Sequence, residues 1–202
     1  MKNGKPLLFL AFFLFLSGCA ASGPLYLYPE KYRATGYHQS GERSVFENVS
    51  VKISLERIKG LSEREKNPVI QKLLDENFVL LGMDIENRSG HKIIYTPSHT
   101  SLITGAMGYE KPVDYTELYS ILRGKGEEAA AQTQIASLRG KFYDSNTQVF
   151  PGEKVSKILI FKPLEKDTTG GSATLTIKEL YVGTDTIDLA FDSVTKELTY
   201  RL

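Results

Sequence analysis

Apolar and polar residues alternate without error over 49–56, with Val49, Val51, Ile53 and Leu55 set against Ser50, Lys52, Ser54 and Glu56. That period of two marks a strand with one face on a core and the other in water. At Asn67-Pro68 the pattern changes: a capping residue precedes a proline suited to the first helical position. Val69, Ile70, Leu73 and Leu74 follow at helical spacing and predict a short helix near 68–76. Residues 77–86 return to strand character and run into Asn87-Arg88-Ser89-Gly90, a turn composition. Short strands are predicted at 92–95 and 101–104, separated by Pro97. From Val113 the period is helical again. Asp114 and Glu117 form a capping pair, Tyr115, Leu118, Tyr119 and Leu122 recur at helical spacing, and Gly124 and Gly126 stop the run. A second helix is predicted from Glu127 to about Phe142, with Ala131, Ile135, Leu138 and Phe142 as its stripe, making an inserted helical hairpin near 113–143. Strands return at 154–161 and 172–182, and Gly183-Thr184-Asp185-Thr186 closes a hairpin onto Ile187, Leu189 and Phe191. A last edge strand is predicted at 198–202. Seven or eight strands between turn signals predict a mainly β domain over 45–202, a two-sheet sandwich of immunoglobulin-like architecture.

A different pattern opens the chain. Residues 7–16 (LLFLAFFLFL) are uninterrupted apolar residues behind Lys2 and Lys5 and ahead of small residues, the layout of a secretory signal. The run is too short to span a membrane, which takes about 17–25 apolar residues. At Leu16-Ser17-Gly18-Cys19 the sequence resembles the lipobox of bacterial lipoproteins: a leucine, two small residues and a cysteine. The resemblance implies that 1–18 are a signal peptide cut between Gly18 and Cys19, with lipid on the Cys19 sulfur and a further acyl chain on the new amino group. One acyl chain holds a protein only marginally, at about 0.8 kcal/mol per buried methylene, so a second chain makes the anchor stable. Ala20 in place of aspartate implies the outer membrane, facing the periplasm, rather than the inner membrane. A looser resemblance runs through the domain: 78–87, then Ile93, Pro97 and Leu102, then Pro151-Gly152-Glu153 before 155–161. That order is similar to the immunoglobulin-like accessory modules of bacterial envelope lipoproteins. The helical hairpin departs from it.

Between anchor and domain, 19–44 read as the lipidated cysteine and a tether. A flexible tether of that length would span about 25–30 Å on average and hold the domain off the bilayer. Yet Tyr26, Tyr28, Tyr32 and Tyr37 place four of the chain's eleven tyrosines there, and disordered linkers are poor in aromatics. Either part of the stretch packs on the domain as an edge strand, or its tyrosines meet a partner.

Removing the signal takes away Lys2 and Lys5 and no acid, moving the formal charge from +1 to −1. A near-neutral protein has no electrostatic pull toward nucleic acid or anionic lipid. Acylating the single cysteine leaves no thiol for disulfides, nucleophilic catalysis or metal binding.

Candidate chemistry is sparse. His38, His91 and His99 fall in no zinc-protease spacing, and GxSxG, P-loop and GxGxxG motifs are missing. Gly124-Lys125-Gly126 is explained as a break between helices. Asp84 and Glu86, two apart, share a strand face and could act as paired carboxylates, although two acids on a solvated strand face are the commoner explanation. The best recognition loop is 105–109, which joins flexible glycines to Met107 and Tyr109. No catalytic residue, metal or cofactor is expected. The reading is a membrane-held scaffold or accessory module with an envelope protein partner. Its alternative is a lipoprotein binding a small ligand or surface polysaccharide through Tyr26, Tyr28, Tyr32 or the loop carrying Met107 and Tyr109.

Overall fold

The computed structural model describes residues 25–29, 36–59, 67–104, 109–124, 128–163 and 173–195. Within them two antiparallel sheets stack around a shared core, and three helices cover part of one outer face. The second sheet is β2 (Tyr37–Ser40), β3 (Arg43–Glu47), β4 (Val51–Arg57) and β5 (Val79–Asn87) in sequence order, with β10 (Lys154–Phe161) beside β5. The first sheet runs from β1 (Leu25–Pro29) through β12 (Asp185–Thr195) to β11 (Ala173–Val182). On the far side of β11, β6 (Ile93–Tyr95) and β7 (Thr100–Thr104) lie end to end. β9 (Thr147–Val149) pairs with β6, and β8 (Tyr109–Glu110) pairs with β7.

Alternation builds the core. Ile53, Leu55, Met83, Ile85 and Leu159 face inward from one sheet and meet Tyr95, Leu102, Leu175 and Phe191 from the other, all fully buried. Burying each such side chain contributes roughly 1.5–3 kcal/mol. The Tyr95 and Tyr143 rings meet edge to face at 4.9 Å, and the Tyr143 hydroxyl donates to the Met83 carbonyl at 3.1 Å. Asn87 pins the far end. Its amide donates to the carbonyls of His91 (2.7 Å) and Val149 (2.8 Å), while its oxygen accepts from the Ser89 N–H at 2.9 Å.

The helices are α1 (Pro68–Asp75), α2 (Tyr115–Arg123) and α3 (Glu128–Ser137). Asn67 caps α1 by accepting from the Val69 N–H at 2.9 Å, and its amide donates to Ser137 at the end of α3. Asp114 caps α2 through the Glu117 N–H at 2.8 Å. Ile70, Leu73, Leu118, Leu122 and Ile135 then close over Leu80 and Ile160 on the outer face of the second sheet. No described helix is long and apolar enough to cross a membrane.

Several expectations change. Val49 is 91% exposed, not a core residue. The Asn48 side chain accepts from the N–H groups of Ser50 and Val51 at 2.8 Å each, folding 48–50 into a turn, so the strand begins at Val51. Tyr115 sits in the first turn of α2 and is 44% exposed, although Leu118 and Leu122 of the same stripe are buried. The second helix ends at Ser137 rather than near Phe142. Gly140 takes φ +74°, a left-handed position that ends helices, and Phe142 instead bridges in parallel to Ile158 of β10. Twelve strands are described where seven or eight were expected. The additions include the β2–β3 hairpin and β1, an edge strand within the stretch read as a tether. The predicted strand at 198–202 lies outside the described residues.

Candidate functional site

Strand register gathers two of the singled-out tyrosine positions into one row. Tyr28 of β1 stands opposite Asp192 of β12, which faces Thr174 of β11; Thr174 pairs with Ile103 of β7, and Ile103 with Tyr109 of β8. Cross-strand partners share a sheet face. Leu102 points into the core, so Ile103 and Tyr109 point out, at 42% and 58% exposure. Below them, Ser101 and Thr176 share a hydroxyl hydrogen bond of 2.8 Å, and a further row holds Gln148, Ile94, Tyr181 and Thr186. Tyr26 occupies the β1 position opposite Val194. Gly18, Cys19, Tyr32 and Met107 lie outside the described residues. Tyr37 packs on the core: its ring lies 4.9 Å from Phe46 and 5.5 Å from Phe191, and its hydroxyl accepts from the Ala190 N–H at 3.2 Å.

The outer face of the second sheet is finished differently. Beyond the helices, Arg43 binds Glu56, and Asp84 lies 2.8 Å from the Lys154 ammonium and 3.5 Å from the Arg43 guanidinium. Burial pushes the Asp84 pKa up, but hydrogen bonds from Lys154 and Ser156 and the charges of Lys154 and Arg43 outweigh it and hold the carboxyl below its ordinary range. Glu86 is lowered too, chiefly by its hydrogen bond from Arg88. Both carboxylates are ionised and paired at neutral pH, and neither has the raised pKa a general acid needs. Gly82 leaves only a shallow depression between Glu56 and Asp84.

A larger cleft, of about 300 Å³, opens between the turn after β6, the start of α2 and the segment before β9. Ser98, Lys111, Asp114, Glu117, Asp144 and Asn146 line it, with Tyr143 at its floor. Asp114 is occupied as a helix cap, and Glu117 is bound by Lys162. Burial pushes the Tyr143 phenol well above its ordinary pKa, so it stays a protonated donor. Sequence reasoning missed this cleft. Its walls come from segments far apart in the chain, and only the polar run Asp144-Ser145-Asn146 hinted at a loop there.

The histidines stay apart. His38 lies 4.0 Å from Glu47, His91 stacks against Gly183, and His99 Nδ1 is 3.2 Å from Glu179 without hydrogen-bond geometry. Among the described residues no group of three or more His, Cys, Asp or Glu could hold a metal ion.

No family model and no curated protein matches the chain. Two solved structures are similar at the level of backbone shape. The YjhA protein from Bacillus subtilis aligns at 12% identity and a TM-score of 0.42, over 72% of this chain and 93% of that one. A functionally unknown protein from Listeria monocytogenes EGD-e aligns at 16% identity and a TM-score of 0.37, over 87% of this chain and 89% of that one.

Proposed function

We propose that the chain is a lipid-anchored, non-enzymatic protein of the bacterial envelope. It is held through Cys19 and serves as a scaffold or accessory interaction module on an immunoglobulin-like sandwich. The observation that carries the reading is the outer face of the first sheet. The three helices pack with the second sheet, whereas Ile103, Tyr109 and Thr186 on the first sheet stay exposed. An antiparallel sheet can leave such a face to water or present it to a partner. The immunoglobulin-like assignment draws support from consecutive strands that change sheets, β5 to β6 and β10 to β11. The lipobox supplies the anchor, and Ala20 favours the periplasmic side of an outer membrane.

Pull-down of the full chain from detergent-solubilised membranes tests the reading. A stoichiometric protein partner is expected, and Thr186→Arg, which adds a bulky charge to the outer face, is expected to lose it. Recovery of the chain alone in repeated trials sinks the module reading. Acyl labelling tests the anchor separately: Cys19→Ala is expected to remain unprocessed and unlabelled, and a labelled mutant would overturn the lipobox.

The cleft favours a second reading, binding of a small ligand or polysaccharide, through Lys111, Asp144 and Asn146 rather than through the tyrosines of the amino-terminal stretch. Titration with cell-wall fragments and glycans, followed by tyrosine fluorescence, should give saturable curves; flat ones remove it.

A further inference from the structure

We propose that the end of the first sheet bearing Ile103 and Tyr109 rests in the polar interface of the bilayer that holds Cys19. The inference depends on the lipid anchor proposed above, and it names the bilayer as the partner of this one end of the sheet.

The argument is one of register and chain length. Leu27 of β1 stands in line with Ser193, Ala173 and Thr104, and Leu25 lies two residues beyond that line. The first residue of β1, the last of β7 and the first of β8 therefore share one end of the sheet. The Gly183-Thr184 turn between β11 and β12 marks the opposite end. Cys19 precedes Leu25 by only six residues, and fully extended chain covers at most about 3.6 Å per residue. The lipidated sulfur is thus held within roughly 20 Å of this end of the sheet.

The chemistry of that end suits a bilayer surface. Ile103 and Tyr109 are two of the large apolar side chains left exposed, and they are direct cross-strand neighbours. An aliphatic group and a phenol side by side suit the acyl boundary and the headgroup region of a bilayer. A protein held by its lipid meets this surface at high effective concentration, so a patch too small to bind alone is enough to orient the domain. With this end down, the rows through Thr176 and Thr186 stand clear of the membrane for a protein partner.

Tyr109→Cys and Thr184→Cys in the full, processed chain test the orientation, because acylation blocks the native cysteine. Each is labelled with a polarity-sensitive fluorophore and reconstituted in vesicles of phosphatidylethanolamine and phosphatidylglycerol containing a lipid-borne quencher. The expected result is blue-shifted emission at 109 and quenching several-fold stronger than at 184. Ile103→Cys should behave as 109 does. Acylated, vesicle-bound protein with water-like emission at 109 and 103 overturns this inference and leaves the anchor standing. Protein that carries no acyl chain and fails to float with the vesicles overturns the anchor, and this inference with it.

Discussion

On the outer face of the second sheet, Leu80 and Ile160 are buried beneath three helices, and the uncovered remainder is filled by the Arg43–Glu56–Asp84–Lys154 network. The outer face of the first sheet keeps Ile103 and Tyr109 exposed beside short hydroxyl side chains. Strand β5 shows both ways in which the face of the second sheet is closed. Its first residues, Val79, Leu80 and Leu81, are buried on both faces, and from Gly82 onward burial alternates. A sheet face closed by helices or by satisfied charges contributes to stability and is a poor place for a partner. A face carrying exposed apolar residues adds little to stability, so its substitutions can be read in binding alone.

The largest effect that would sharpen this contrast is Leu80→Ala. The side chain is wholly buried between sheet and helices, and its truncation leaves a cavity that the rigid strand cannot close. A loss of about 2–5 kcal/mol is expected. Urea unfolding monitored by circular dichroism should show the midpoint fall with the slope preserved. A loss no larger than that of a surface substitution would mean that the helical layer is not a second core.

The same contrast explains what the sequence disclosed. The core of β4 was legible because one buried face imposes a period of two, β5, β10 and β11 because apolar or branched runs lie between turn signals, and α1 because Asn67-Pro68 marks its start. Val79-Leu80-Leu81 reads as a plain apolar run because both faces are covered; no single period identifies which layer covers it. The short pieces were harder. The β2–β3 hairpin carries only a Ser40-Gly41 turn signal, and β8 and β9 are two and three residues long, held by neighbours rather than by their own pattern. Tyr109 was found as a candidate because a glycine-rich loop precedes it. Its partner Ile103 was missed, since its exposure follows from register across two strands and not from local sequence. The ion network was half legible: Asp84 and Glu86 stood out as a pair, but their cations come from β3, the turn after β5, and β10.

Asp84→Asn gives an intermediate effect and tests whether the network closes its face. The folded-state pKa of Asp84 lies below the unfolded value of about 3.9, so its contribution is present above that pH and is lost as pH falls through the folded value. The wild-type chain is expected to exceed the variant by about 1 kcal/mol at pH 7, a figure kept small because solvent screens the partly exposed network. The gap should begin to narrow as pH falls past about 3.9 and close only below the lowered folded-state pKa, where both side chains are neutral. Denaturant unfolding of both proteins across pH checks this; a gap that persists in acid would assign the effect to packing instead of charge.

The smallest effect belongs to the open face. Ile103→Ser combined with Tyr109→Ser removes two apolar groups that water already reaches, and surface changes of this kind shift stability by only about 0.5 kcal/mol. The double variant should therefore unfold at nearly the wild-type urea concentration. A loss comparable to that of Leu80→Ala would show that the pair is covered by some other part of the chain. The face would then be closed like its counterpart, and the contrast between the two sheets would disappear. An unchanged midpoint keeps the pair free for contact, and any change in membrane orientation seen with the same variant can then be assigned to the lost contact and not to a damaged fold.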